Sequence, residues 1–444
     1  MNPAMTALRM KLEELECHFT WELDCSRYKL LCIRDHLEDI GNDRSCPWLG
    51  QKYNLLAYIH HTLGSNDVAL QCLKKAEEAY KLNRPLDLMG LCLLITYGNL
   101  SWVYYHLNNQ EESLGYMKKV EALLHDYPSP SQGELHPMLC AEKAWTLMKF
   151  DQEKKKKAIE YFQTAISVEP ERKELKSSHA LVLASVHNFN PDNQQEESRV
   201  LETLRLVKEH DPDNLYVAST YLIRLGLGSQ VRREEACDIA FQILNRPFSC
   251  YSGFVLILYF YRLYLSNDAA IDLALEALKR HPNVRYLKMS LAMCYKWKII
   301  SMEDNASKEL MIDKAISLYI EVISRYVDTS IKLKVDLASI YALSSIDRRE
   351  LADQIYEELL ATIQESPMLQ LIYNRYASYL HFNRNDRRRS IQYHMMAAEM
   401  PDLNIYGERS LKTLRKILEQ GKDISEEICK FLNNRQLEKS TGLN

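Results

Sequence analysis

The stretch NLLAYIHHTLGSNDVALQCLKKAEEA, Asn54–Ala79, decides the fold. Leu56 and Ala57 are followed, twelve positions after the alanine, by Ala69, and then by Leu73 and Ala76. A large–small pair followed by a small–large–small set describes two antiparallel helices. Small residues let the backbones approach, and large ones fill the gap between them.

This spacing is that of a tetratricopeptide repeat, and it recurs along the chain. Leu100, Ser101 and Tyr104 lead to Ser113, Met117 and Val120. Ala144 leads to Ala158, Phe162, Ala165 and Pro170, and Leu258 and Tyr261 lead to Ala270, Ala274, Ala277 and Pro282. Ala292 and Tyr295 lead to Ala315, Tyr319 and Val322 across ISMEDNASKE (300–309), which reads as a long loop. Ala338 and Tyr341 lead to Ala352, Tyr356 and Leu359, and Ala377 leads to Ser390 and Ala397. Regions 175–214 and 215–249 fit more loosely.

About nine helix pairs are expected, at a period near ~34 residues. Pro47, Pro85, Pro128, Pro130, Pro191, Pro212, Pro247, Pro282 and Pro367 are expected between helices. No stretch alternates with period two, so no strands are expected. The fold class is all-α, a superhelical solenoid of tetratricopeptide-type helix pairs, some degenerate. The expected parts are N-terminal helices in 1–50, a repeat superhelix with the groove in 51–249, a second repeat superhelix in 250–420, and a polar tail in 421–444, frayed after a short helix.

Composition bounds the function. The chain has 444 residues with a net charge of -4, which argues against a generally basic nucleic-acid binder but leaves room for a local basic pocket. Only 13 residues are glycine, and neither GxGxxG nor GxxxxGK[ST] occurs. The 11 cysteines are scattered without a CxxC pair, the pattern of reduced thiols rather than a disulfide framework or zinc module. The start, MNPAMTALRMKLEELE, is amphipathic and acidic rather than a signal peptide, and no apolar run is long enough to span a membrane. His60 and His61 diverge by about 100° on a helix, so they chelate poorly together. No nucleophile is recognisably paired with a base, so no catalysis and no cofactor are expected.

In a solenoid of this kind the first helix of each pair lines the concave face. Positions one, four and five after its small residue give Tyr58, His61, Trp102, Tyr105, His106, Trp145, Lys149, Tyr259, Arg262, Lys296, Trp297 and His381. Carboxylates are absent. Interleaved rings and cations suit single-stranded nucleic acid, where rings stack bases and cations meet phosphates. Such grooves also bind peptides, so both classes stay open at this point. Lys154–Lys157 and Arg387–Arg389 read as solvated faces between helices.

The words CHFTWEL (17–23), NLLAYIHHTLG (54–64), YGNLSWVYYHLNN (97–109) and DPDNLY (211–216) resemble one family, the interferon-induced proteins with tetratricopeptide repeats. FYR at 260–262 and MCY at 293–295 continue the match. The resemblance implies a cytoplasmic antiviral effector, induced by interferon, that grips foreign 5′ ends of RNA, triphosphate or incompletely methylated cap, and blocks their translation. It implies RNA, other family members and the translation initiation machinery as partners, without a membrane, a cofactor or an enzymatic step. The alternative is a scaffold that keeps the protein partners and has lost the RNA pocket. A third mode is AU-rich or duplex RNA on an outer basic face.

Carried over by resemblance, Trp145 and Lys149 in AWTLMK match a family tryptophan that stacks on the 5′ end and a lysine that meets phosphate. Arg262 matches a second phosphate contact, and Asn214 and Tyr216 match positions near the RNA path. Departures are equally specific. Asp35 and Asp39 stand where the family carries an arginine and a glutamine, Ser185 near a family arginine with His187 close by, and Val255 and Leu263 at two further arginines. Met289–Ser290 replaces a His–Gln pair, and Lys155 a pocket tyrosine. The chain is shorter than many relatives, as expected if the last repeats are missing. CHFTWEL itself is expected to continue the first helix, with Leu12, Leu15, Phe19 and Leu23 on one apolar stripe.

Overall fold

The computed structural model describes residues 3–40, 47–83, 86–128, 135–187, 189–247, 253–303, 305–344, 348–364, 366–400, 403–419 and 425–441. These residues hold 22 helices and no strand. They fall into two compact units, Met1–Pro282 and Asn283–Asn444.

The first unit opens with α1 (Pro3–Glu13) and α2 (Arg27–Asp39). Six hairpin pairs follow: α3 (Leu49–Thr62) with α4 (Asn66–Asn83), α5 (Leu86–His106) with α6 (Gln110–Asp126), α7 (Pro137–Leu147) with α8 (Gln152–Val168), α9 (Lys173–Val186) with α10 (Gln194–His210), α11 (Leu215–Leu227) with α12 (Arg233–Leu244), and α13 (Phe254–Tyr264) with α14 (Asn267–Arg280). The second unit has four: α15 (Arg285–Ser301) with α16 (Asn305–Arg325), α17 (Ile331–Leu343) with α18 (Arg349–Thr362), α19 (Ser366–Phe382) with α20 (Arg387–Glu399), and α21 (Ile405–Glu419) with α22 (Ser425–Thr441). The described residues thus hold ten pairs where the spacing predicts about nine. The loosely fitting regions form ordinary hairpins, with Ala180, Leu183, Val200 and Leu204 buried between α9 and α10.

The small–large code is the packing code. Ala57, Ala69, Leu73 and Ala76 are buried at the α3–α4 contact, and Ala144, Ala158, Phe162 and Ala165 at the α7–α8 contact. In the α5–α6 pair the small positions are serines. Ser101 Oγ donates to the Ser113 carbonyl at 2.8 Å, and Ser113 Oγ donates back to the Ser101 carbonyl at 2.9 Å. The close approach therefore carries its own polar satisfaction. Side-chain caps start many helices: Ser26, Asn109, Asp151, Asn193, Asn214, Ser266 and Asp386 each accept from the amide three residues on. Gly253, with φ +88, precedes α13 where a Cβ would lie 2.8 Å from the Leu215 carbonyl.

Several expectations are corrected. Of ISMEDNASKE, all but a short connection is helical, because α15 runs to Ser301 and α16 begins at Asn305. Pro367 lies in the first turn of α19, where the missing amide hydrogen breaks no helical bond. Pro85 and Pro130 lie outside the described residues. The tail holds a 17-residue helix, α22, whose Ile428 is buried against Leu411 and Leu414.

The largest correction concerns CHFTWEL, which is not helical. After α1 the chain turns. Thr20 Oγ1 donates to the Leu15 carbonyl at 2.6 Å and accepts from the Cys17 amide at 3.2 Å, and Glu22 has φ 54. These local bonds offer the backbone an alternative to the helix. The segment lies against α5, where a Cβ on Gly98 would come within 3.2 Å of Cys17 Cβ. The His18 amide donates to Asn99 Oδ1, Asn99 Nδ2 donates to His18 Nδ1, and His18 Nε2 meets Thr146 Oγ1, each at 3.1 Å.

Candidate nucleic-acid interface

Phe19 decides how much of the expected groove is open. Its ring stacks on Trp102 (5.8 Å, 16°) and meets Tyr58 (5.4 Å, 76°) and His61 (5.2 Å, 69°) edge-on. Tyr58 and Trp102 are each only 9% exposed. Tyr58 and Trp102 are therefore covered by the chain's own Phe19 and packed as core, whereas His61 and Tyr105 are half-buried and His106 is exposed.

Beyond that plug, Trp145 and Lys149 come together at the end of α7. Lys149 Nζ stands 4.6 Å from the centre of the Trp145 ring, a cation–π contact. Trp145 is 5% exposed because Trp48 stacks on it, with centroids 6.0 Å apart and planes 20° apart. Neither the repeat spacing nor the resemblance pointed to Trp48.

On α11 and α13 the expected residues behave differently. Asn214 is spent on structure: its Oδ1 caps α11 by accepting from the Val217 amide at 3.2 Å. Tyr216, the second residue of α11, is 42% exposed, and desolvation of its phenol pushes its pKa up. Tyr259 is 38% exposed, and the Arg262 guanidinium lies 4.9 Å over its ring. The described contacts pair Trp145 with Lys149, and Tyr259 with Arg262; none joins the two sets. In the second unit, Lys296 pairs with the Asp336 carboxylate and lies 5.7 Å over Trp297, so its charge is locally balanced.

Positions where cations are missing are structurally occupied. Asp35 pairs with Arg34 at 3.0 Å, His187 Nδ1 with Glu196 at 3.3 Å, and Ser185 Oγ bonds to the Val182 carbonyl.

The lysine run reads differently in three dimensions. Lys154 pairs with Asp151 at 3.0 Å and reaches the Asp24 carbonyl at 3.5 Å; Lys156 pairs with Glu153 at 2.7 Å. Lys155 is half-buried, and its ammonium is pulled down by burial and by the charge of Lys29, one turn into α2. On the same helix, enclosure and the charges of Lys149 and Lys29 hold the His36 imidazole down at about 4. The sequence reading set Lys155 at the position of a pocket tyrosine but did not name Lys29, whose charge acts on it. The Asp151 carboxylate acts in the opposite sense on Lys155.

Among the described residues no group of three His, Cys, Asp or Glu could hold a metal, and no helix is long and apolar enough to cross a membrane.

Paired helices carrying small–large packing, with a ring-and-cation face on the first helices, define a tetratricopeptide-repeat binding protein. The family model for the tetratricopeptide repeat matches residues 53–81. Over most of its length the chain is similar to the interferon-induced proteins with tetratricopeptide repeats. It is 24% identical over 419 residues to member 2 from Mus musculus, covering 93% of this chain and 87% of that protein. It is 25% identical over 425 residues to the human antiviral innate immune response effector IFIT1, covering 92% and 86%. The human IFIT1 dimer with m7Gppp-AAAA shares its fold at a TM-score of 0.70 and 24% identity, covering 93% of this chain and 91% of that one. The human IFIT1 dimer with PPP-AAAA does so at 0.68 and 24% identity, covering 98% and 96%.

Proposed function

We propose that this protein is an interferon-induced antiviral effector that binds foreign RNA by its 5′ end, triphosphate or incompletely methylated cap, in the groove of the first unit, and blocks its translation. It acts in the cytoplasm by binding alone, without an enzymatic step, alongside other family members and the translation initiation machinery. The observation that carries this reading is Lys149 over the face of Trp145, a cation beside a stacking ring where a phosphate and a base would meet. Tyr216, Tyr259 and Arg262 supply the next exposed rings and cation. The relatives' names and the RNA held by the similar structures support it. Its test is a titration of one short RNA bearing 5′-hydroxyl, 5′-triphosphate or cap. Tighter binding of the last two, weakened in Lys149→Ala and Arg262→Ala, supports the assignment; equal affinity of wild type and double variant sinks it.

One observation favours a second reading, a protein-binding scaffold. The Trp145 face is closed by Trp48, and the positions of several family cations are structurally occupied. Partners that survive nuclease treatment, with purified protein indifferent to RNA, would mark that role.

A further inference from the structure

We infer that the first unit holds a second ligand site, a cavity between α8, α9 and α10 that takes the carboxylate of a medium-chain fatty acid, with the acyl chain against Ile166, Leu206 and Val207. None of the RNA-site residues named above lies on these three helices, so the inference stands apart from the RNA reading.

Helical spacing builds the cavity. Lys176 and His179 are i, i+3 on α9, and Leu206, Val207 and His210 share a face of α10 at i+3 and i+4 spacing. With Ile166 of α8 they line one cavity of about 520 Å³. That volume falls within the roughly 300–1,000 Å³ of small-molecule sites. Its apolar wall is graded: Val207 is buried, Ile166 is half-buried, and Leu206, 44% exposed, stands at the rim.

The polar groups point to the head of the ligand. His179 Nε2 is buried and has no hydrogen-bond partner. Burial and the charge of Arg199 hold its imidazole below the ordinary value, so the ring is neutral near pH 7 and can carry its proton on Nε2. A buried nitrogen without a partner is unfavourable, and a ligand oxygen that accepts from it removes the penalty. Lys176 makes no ion pair among the described residues, and no carboxylate lines the cavity. An anion entering here therefore meets an uncommitted ammonium and no like charge. A carboxylate accepts from both groups, its bond to Lys176 being charge-assisted. The apolar wall favours a carboxylate on a hydrocarbon chain over a phosphate on a sugar, whose polar body would lose water against Ile166 and Val207 without replacement.

The experiment titrates decanoate, below its micellar concentration, into the full chain by isothermal calorimetry. Decanol and decyltrimethylammonium carry the same chain with no charge and with the opposite charge. Both are expected to bind at least about tenfold more weakly than decanoate, the scale of one charge-assisted bond. Lys176→Gln is expected to weaken decanoate by roughly the same factor, and His179→Leu several-fold. Lys176→Arg should keep binding, and Lys173→Gln, on the exposed side of α9, should match wild type. Leu206→Asp, at an exposed position that the fold tolerates, should abolish binding by placing a carboxylate at the rim. Circular dichroism melts confirm that each variant is folded at the temperature used. No decanoate binding, equal affinity for decanol, or affinity unmoved by both Lys176→Gln and Leu206→Asp overturns the site. Tighter binding of N-acetyl-leucyl-leucine than of decanoate would assign the cavity to a peptide C-terminus and overturn the fatty-acid reading.

Discussion

Trp48 lies face to face with Trp145, ring centroids 6.0 Å apart, while Lys149 stands over the Trp145 ring at 4.6 Å. The indole pair occupies a stacking surface that the proposed function assigns to a base. An aromatic pair contributes about 0.5–1.5 kcal/mol beyond its burial, and a base stacked on a ring about 1–3 kcal/mol. A base can therefore displace Trp48, at a cost in affinity. Trp48→Ala is expected to bind 5′-triphosphate or capped RNA several-fold more tightly and to melt at a lower temperature. Fluorescence polarisation with labelled RNA checks it, and a drop in affinity at temperatures where the variant is fully folded would contradict the displacement.

Acid should weaken the fold through His18. Burial holds its imidazole down at about 3 against an ordinary 6.5, and its two ring nitrogens are satisfied by Asn99 and Thr146. Between those pH values the unfolded chain binds a proton that the folded chain refuses. Stability therefore falls as pH drops below 6.5, by up to about 1.4 kcal/mol per pH unit for this one group. Denaturation midpoints from pH 7 to pH 4.5 read the slope. His18→Gln should flatten it; an identical slope would show that other groups carry the acid sensitivity.

Much of the fold was legible because the repeat code is a packing rule: most of the expected small and large positions are buried, with Tyr104 and Tyr341 half-buried, down to the reciprocal bonds of Ser101 and Ser113. CHFTWEL misled because apolar residues at i and i+4 fit a helix and a buried turn equally well, and only the bonds of Thr20 decide between them. The groove positions Tyr58 and Trp102 were found, but a local offset cannot show that Phe19 covers them. Lys155 sat in a charge run that looked solvated, although the resemblance set it at a pocket position. What distinguishes it is Lys29, brought close only by the packing of α2 near α8.

Asn214 should matter through the helix it caps. Replacing a capping Asn by Ala costs about 1 kcal/mol, whereas Ser retains most of the cap. Asn214→Ala is expected to lower stability by that amount in chemical denaturation, with Asn214→Ser close to wild type. RNA affinity should follow the same order, because the cap sets the turn that presents Tyr216. A loss of affinity in Asn214→Ser as large as in Asn214→Ala would instead point to direct contact by the amide.

Tyr259 and Arg262 should act as a unit, the guanidinium lying 4.9 Å over the exposed ring. Tyr259→Leu and Arg262→Gln are each expected to weaken RNA several-fold, and the double variant by less than the product. Additive losses in a double-mutant cycle would show that the two residues contact RNA independently.

The central claim is that a terminal phosphate cluster is read beside Trp145. The most direct measurement is the affinity ratio of 5′-triphosphate to 5′-hydroxyl forms of one short RNA, for wild type and Lys149→Gln at fixed salt. The account predicts a ratio of at least about tenfold in wild type, from one or more charge-assisted bonds, collapsing toward unity in Lys149→Gln. A wild-type ratio of one, or a ratio unmoved by Lys149→Gln, would contradict it.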